Sequence, residues 1–121
     1  MSKRILDTNF VLRYLLKDVP DMFEIAYNNI MHGDCSVYPE IIAEAVYVLK
    51  SVYKVDRIEI SNAIISFLDE VICEKKEAVV KGLLLFAETT LDFVDCLLIA
   101  YNKCYGYEIL TFDKKMIKKL T

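Results

Sequence analysis

The sequence is poor in residues that interrupt helices and strands. Its 121 residues include 3 Gly, 2 Pro and no Trp, whereas 55% are hydrophobic and 27% are charged. This composition excludes intrinsic disorder, collagen-like repeats and low-complexity tails. Because the length suits one compact unit, we expect a single domain over residues 1–121.

The sequence also lacks a long uncharged hydrophobic run. The mean hydropathy of +0.32 is high, yet no window of about 18 residues is free of charge, so we expect no membrane-spanning helix. The first residues, Met1 to Asp7, place an acid where a secretory signal needs an apolar segment. We therefore expect a cytoplasmic protein.

Histidine occurs once, at His32, before Gly33 and at the end of a helical pattern. A histidine there commonly meets the last helix carbonyls, so histidine-dependent catalysis and multi-histidine metal sites have little support. The cysteines contain no C-x-x-C pair, and we interpret them as buried thiols rather than as a disulfide or a zinc site. They are Cys35, Cys73, Cys96 and Cys104.

Charge of neither sign dominates, since 15 Lys and Arg stand against 18 Asp and Glu, a net charge of -3. Any binding of nucleic acid must therefore rely on a local basic patch or on metal ions.

Short apolar runs alternate with longer segments of helical period. The pattern predicts a three-layer α/β/α fold with a short, mainly parallel sheet of four or five strands. Predicted strands cover residues 3–6, 35–38, 71–73 and 108–112. Predicted helices begin near residue 10 and cover 21–31, 39–53, 56–69, 75–88, 91–105 and 114–120, the last with Met116, Ile117 and Leu120 facing inward.

Two of these strands end in an aspartate, Asp7 and Asp113. Ligands of parallel sheets bind outside the carboxyl ends of the strands, which makes this edge the candidate site. Each aspartate could instead cap the helix that follows it. The chain has no G-x-G-x-x-G or Walker A sequence, so this edge is not a nucleotide-phosphate cradle.

Two further carboxylates lie within apolar helical segments. Glu44 has almost only apolar neighbours, and a buried carboxylate normally pairs, neutralises or binds a metal. The alternatives are a salt bridge or an exposed stripe with Glu40. Asp95, with Asp92 on the same face, could instead complement the helix dipole after a Thr90 cap.

These four carboxylates would repel one another if they met, unless cations neutralised them. Oxygen ligands select hard cations such as Mg²⁺ or Mn²⁺, which suit in-line displacement at phosphorus.

The ordered motifs resemble the PIN-domain family, especially the VapC-type toxins of toxin–antitoxin pairs. The resemblance rests on Leu6–Asn9 with Arg13, on Ile42–Leu49, on Asp92–Ala100 and on Leu110–Lys114. It implies a Rossmann-like PIN fold and an Mg²⁺- or Mn²⁺-dependent endoribonuclease in which water attacks the phosphodiester. It also implies a protein that is often a homodimer and often silenced by an antitoxin.

Position by position, the resemblance implies catalytic and metal-binding roles for an acidic quartet, Asp7, Glu44, Asp95 and Asp113. Asn9 and Thr111 match positions that support the site. Asp92 resembles an additional acid that reaches a second metal or orients Asp95.

Basic residues near these motifs are candidate RNA contacts. Arg13 can pair with an acid or contact a phosphate. A lysine cluster after Asp113 can contact the RNA backbone or form a charged solvent face. It consists of Lys114, Lys115, Lys118 and Lys119.

Two other functions remain open. One is an Mg²⁺-dependent phosphohydrolase or phosphoacceptor, in which the aspartate after the first strand is the nucleophile. The other is a non-catalytic PIN-fold domain that binds protein or RNA. The presence of all four acids favours the nuclease. Tyr47, Val52 and Tyr53 are candidate residues of a partner or dimer surface.

Overall fold

The structure, a computed structural model, describes residues 3–121 and contains three short strands and seven helices in that range. None of these helices is long and apolar enough to cross a membrane. In chain order the elements are β1 (Arg4–Ile5), α1 (Thr8–Leu16), α2 (Pro20–His32), β2 (Cys35–Val37), α3 (Pro39–Ser51), α4 (Arg57–Leu68), β3 (Ile72–Cys73), α5 (Lys76–Glu88), α6 (Phe93–Tyr105) and α7 (Lys114–Ile117).

The three strands form a parallel sheet in the order β1-β2-β3. Arg4 lies opposite Cys35 in β2, while Val37 lies opposite Cys73 in β3. All three residues of β2 are buried, as a parallel sheet covered on both faces requires. Pairs of helices connect successive strands, and this arrangement confirms the predicted α/β fold with a small parallel sheet.

The strand predicted at residues 108–112 is absent from the described part of the chain, so the sheet has three strands rather than four or five. Leu110 and Phe112 alternate with polar residues as in a strand, but their side chains are 86% and 103% exposed. Strand propensity expresses packing on a half-buried surface, and nothing covers these two side chains here.

The last helix is also shorter than predicted and ends at Ile117. Met116 is buried as expected, but Ile117 is half exposed, so its predicted inward position is wrong.

Helices α5 and α6 pack closely at Gly82. A Cβ atom there would lie 3.3 Å from the Leu97 Cα and 3.5 Å from a ring carbon of Phe93. The absence of a side chain therefore lets the backbone of α6 lie directly against α5. This contact sets the distance between α5 and the first turns of α6.

Tyr14 of α1 connects this helix to the segment after α4. Its hydroxyl donates a 2.8 Å hydrogen bond to Glu70 Oε2, and its ring stacks on Phe23 with 5.7 Å between the centroids. Burial, together with the bond to Glu70, raises the pKa of Tyr14 to about 12. The protonated phenol is therefore the form that the folded protein favours.

This raised pKa predicts a loss of stability in alkali that Tyr14→Phe does not share. Unfolded tyrosine ionises near pH 10, so Tyr14 contributes fully below that pH and loses its contribution as the pH rises toward 12. We expect the difference in unfolding free energy between wild type and variant to fall by up to about 2 kcal/mol across this window. Denaturant titrations from pH 8 to 12 measure it; parallel curves would contradict the assignment.

Candidate functional site

The two aspartates predicted at strand ends lie at the start of helices and cap them, although only Asp7 follows a strand of the described chain. Asp7 Oδ1 accepts a 2.9 Å hydrogen bond from the Phe10 amide at the start of α1. Asp113 Oδ1 accepts from the amides of Lys115 at 2.9 Å and Met116 at 3.3 Å. In both residues Oδ2 has no hydrogen bond to any part of the chain from residue 3 onward. Capping therefore leaves one carboxylate oxygen of each aspartate available.

The turn before α7 is held by Thr111, whose Oγ1 accepts a 3.0 Å hydrogen bond from the Asp113 amide. This bond fixes the backbone from which the Asp113 side chain extends. Thr111 therefore restrains the backbone at Asp113.

Glu44 is exposed, so the prediction of a buried carboxylate in α3 is wrong. The apolar residues around it turn to the core, while Glu40, Glu44 and Tyr47 form an exposed stripe at helical spacing. The Thr8 hydroxyl donates a hydrogen bond to Glu44 Oε1. Thr8 was not among the site residues named from the sequence, although it lies inside the motif that contains Asp7.

A cavity of about 560 Å³ brings the first two acids together. Asp7, Thr8 and Asn9 line it from the start of α1, and Glu44 and Tyr47 line it from α3. Two of the four quartet acids thus share one open cavity.

A second cavity, of about 290 Å³, lies between α3 and the start of α6. Asp92 and Asp95 line it, together with Tyr47, which belongs to both cavities. Helix α6 begins at Phe93, so Asp92 rather than Thr90 occupies the capping position, and the expected Thr90 cap is wrong. The Asp92 side chain makes no capping hydrogen bond, which leaves its carboxylate free of the helix.

The electrostatics connect Asp113 to the acids of α6. The pKa of Asp95 is raised, first by partial burial and then by the negative charges of Asp92 and Asp113. The charges of Asp92 and Asp113 therefore act on Asp95. We call the surface with these acids the acidic edge, and Asp95 accepts no hydrogen bond there from residues 3–121.

A family model for the PIN domain matches residues 4–120 of the chain. The chain belongs to the PIN domain family. No curated protein and no solved structure matches it. PIN domains are generally nucleases that use a divalent metal, so nucleic acid is the substrate class of this PIN domain. The family resemblance read from the motifs is confirmed at this level.

The donor atoms of the PIN site suit a hard divalent cation by their chemistry, although they do not converge on a single position. In residues 3–121, no three Asp, Glu, His or Cys side chains lie close enough together to hold an ion. The available donors are carboxylate oxygens, which Mg²⁺ and Mn²⁺ prefer. The repulsion that raises the pKa of Asp95 is also what a bound cation would relieve.

The lysine cluster of this PIN domain lies beside the turn that precedes α6. Lys115, Lys118 and Lys119 line a hollow of about 520 Å³ with Thr89, Thr90 and Leu91, whereas Lys114 does not line it. Three positive charges therefore stand next to the segment that leads into Asp92.

Two other polar residues singled out in the sequence, Arg13 and His32, make structural contacts. Arg13 pairs with an acid, the first of its two predicted roles: its guanidinium lies 2.7 Å from Asp18 Oδ2 and 3.1 Å from the Tyr53 hydroxyl. His32 is the last residue of α2, as expected, and its Nδ1 lies 3.2 Å from Arg4.

All four cysteines are free thiols, so no disulfide forms. Burial is confirmed for Cys35 and Cys96, whereas Cys73 and Cys104 are partly exposed.

Arg57, at the start of α4, holds the turn before Asp92 in place. Its Nε donates a 2.8 Å hydrogen bond to the Phe86 carbonyl, and its Nη2 donates to the Leu91 carbonyl. The guanidinium carbon lies 3.8 Å from the centroid of the Phe86 ring. From the other side, the Leu91 amide donates to Thr89 Oγ1 at 3.3 Å. Sequence reasoning missed Arg57 because its partners lie about 30 residues away along the chain.

We expect Arg57→Met to loosen this turn as well as to destabilise the fold. The variant loses two charge-assisted hydrogen bonds to carbonyls, which predicts a fall of about 1.5–3 kcal/mol in the free energy of unfolding. Amide hydrogen exchange should accelerate selectively at residues 89–95.

Arg4→Met is the matched control, because Arg4 also donates to a carbonyl, that of Gly33, but at the C-terminal end of α2. It should leave exchange at residues 89–95 unchanged. Equal protection of these amides in wild type and Arg57→Met would contradict a positioning role for Arg57.

Proposed function

We propose that this PIN domain is a metal-dependent endoribonuclease and the toxin of a VapC-type toxin–antitoxin pair. The observation that supports the proposal is the acidic edge. Asp95 lies within the repulsive field of Asp92 and Asp113, and Asp7 and Glu44 line the cavity that shares the Tyr47 wall. We also propose that residues 1–121 form one domain that acts in the cytoplasm.

In this proposal the quartet would hold Mg²⁺ or Mn²⁺, with Asp92 as a further candidate ligand. The cation, when bound, supplies positive charge that polarises the phosphodiester and makes water a stronger nucleophile. The protein supplies carboxylate oxygens on side chains that hydrogen bonds restrain. Asp7 and Asp113 are anchored through Oδ1, and Thr8 restrains Glu44. Thr111 holds the backbone at Asp113, and Asn9, which lines the cavity beside Asp7, would support the site there.

The proposed reaction is hydrolysis by in-line attack, in which water approaches phosphorus opposite the leaving oxygen. Water adds to phosphorus, the bond from phosphorus to the 3′ oxygen breaks, and the products have 5′-phosphate and 3′-hydroxyl ends. The acids cannot bind the substrate phosphate themselves, because like charges repel.

We assign RNA backbone contacts to the lysines, because their positive charge lies beside the turn leading to Asp92. Lys115 and Lys118 line the hollow, and Lys114 begins the same helix. Arg13 is held by Asp18, so its contribution to RNA binding requires that this pair opens.

Exposed apolar side chains support a homodimer and an antitoxin partner. Val52 is 64% exposed, and Leu110 and Phe112 protrude still further. Tyr53 is exposed too, although its hydroxyl contacts Arg13. Light scattering and co-purification from the native host test the partners; a monodisperse monomer with nothing bound would count against both.

The nuclease proposal predicts metal-dependent cleavage of RNA that Asp7→Asn abolishes. Asparagine retains the side-chain oxygen that caps α1 and removes the charge, so the variant should fold normally. Metal-stripped protein is incubated with total RNA, with and without Mg²⁺ or Mn²⁺, beside this variant.

Cleavage that survives in Asp7→Asn would indicate a contaminating nuclease. Absence of cleavage by folded, metal-loaded protein, with RNA bound intact, would favour the non-catalytic alternative. Release of phosphate from small phosphate esters would favour the phosphohydrolase.

We further expect Asp95→Asn to abolish cleavage and Asp92→Asn to reduce it less. In metal-free buffer Asp95→Asn should be more stable than wild type, because repulsion from Asp92 and Asp113 disappears. Thermal unfolding in chelator and cleavage assays measure the two effects. Full activity of Asp95→Asn would refute its assignment, and equal losses would make Asp92 a ligand.

A further inference from the structure

The cavity between α3 and the start of α6 has the chemistry of a site for a flat organic group. Its apolar part includes Val46 and Phe93, both buried in the core. Its rim has charge of both signs, with Lys50 from α3 opposite Asp92 and Asp95 from α6. An apolar cavity with a few polar groups at its rim is the usual form of a small-ligand site.

Tyr47 is an exposed part of this wall. Its side chain is 68% exposed, and its ring packs on no other aromatic ring in residues 3–121. It lies one turn after Glu44 in α3, and it separates the Asp7 and Glu44 cavity from the Asp92 and Asp95 cavity. An aromatic face is thus available where the two halves of the acidic edge meet.

Charge narrows the class of ligand. A phosphate is repelled by Asp92 and Asp95 unless cations neutralise them, whereas a nucleobase is uncharged and its amino groups can donate to a carboxylate. Lys50, on the rim, can meet the phosphate attached to such a base.

The size of the cavity narrows the class of ligand further. The cavity volume of about 290 Å³ lies at the lower end of small-molecule sites, which suits one base rather than a helix. A base can enter only where it is unpaired, because duplex RNA keeps its bases stacked and hides their edges.

From these observations we propose that this cavity is a subsite for one unpaired nucleobase of the RNA, stacked on Tyr47 beside the scissile phosphate. The assignment rests on the proposed ribonuclease function and specifies its substrate as a single-stranded or looped segment. Tyr47 supplies the stacking surface, and Lys50 contacts the adjoining phosphate.

The test is a double-mutant cycle between the protein and the RNA. Binding of a labelled single-stranded oligoribonucleotide is measured with Mg²⁺ at low salt, with Asp7→Asn protein so that no cleavage occurs. Each nucleotide in turn is replaced by an abasic one, and each RNA is titrated against Asp7→Asn alone and against Asp7→Asn combined with Tyr47→Ala.

We expect removal of the base at one position to weaken binding about 5- to 100-fold, as loss of one aromatic stack does. Tyr47→Ala should weaken binding of intact RNA similarly, and the two losses should not add. Tyr47→Phe should retain binding because it keeps the aromatic face. Tyr27→Ala is the matched control, since Tyr27 is an exposed tyrosine of α2 that lines neither cavity.

Additive losses, equal binding of the fully paired duplex, or no binding of the intact strand would each overturn the subsite. So would a Tyr47→Ala variant that binds RNA normally but loses its dimer mass, because the cavity would then belong to a protein interface. Metal-dependent cleavage of total RNA is assayed separately, so the subsite can fail while the nuclease function stands, and the reverse outcome is equally visible.

Discussion

Repulsion among carboxylates is the constraint on which this structure depends. Partial burial raises the pKa of Asp95, the charges of Asp92 and Asp113 raise it further, and no hydrogen bond from residues 3–121 neutralises it. Such an arrangement costs folding free energy. The surrounding contacts offset this cost by fixing the backbone: Gly82 brings α6 against α5, and Arg57 holds the turn before Asp92.

The helices and the capping aspartates could be predicted because both depend on local sequence patterns. The apolar period of α3 and the aspartates after β1 and before α7 need only a few neighbouring residues to interpret. Glu44 shows the limit of this reasoning. Its apolar neighbours in the chain suggested burial, but in a helix those neighbours point in other directions, so the side chain is exposed.

Contacts between distant segments could not be predicted. Arg57 reaches carbonyls about 30 residues away, and nothing in its neighbourhood indicates that it restrains the α5–α6 turn. The strand prediction around Leu110 failed for a related reason. Its alternation is strand-like, yet a strand requires an edge to pair with and a surface to cover it, and neither is supplied within residues 3–121.

The two capping aspartates have a consequence for how such a protein diverges. Each uses one oxygen to begin a helix and leaves the other free, so a single nucleotide change from an aspartate to an asparagine codon preserves the helix start and removes the charge. Under the proposed function, descendants that lose catalysis in this way keep the free energy of folding. Folded, inactive copies are therefore one mutational step from this chain, and they would remain available for selection on binding alone.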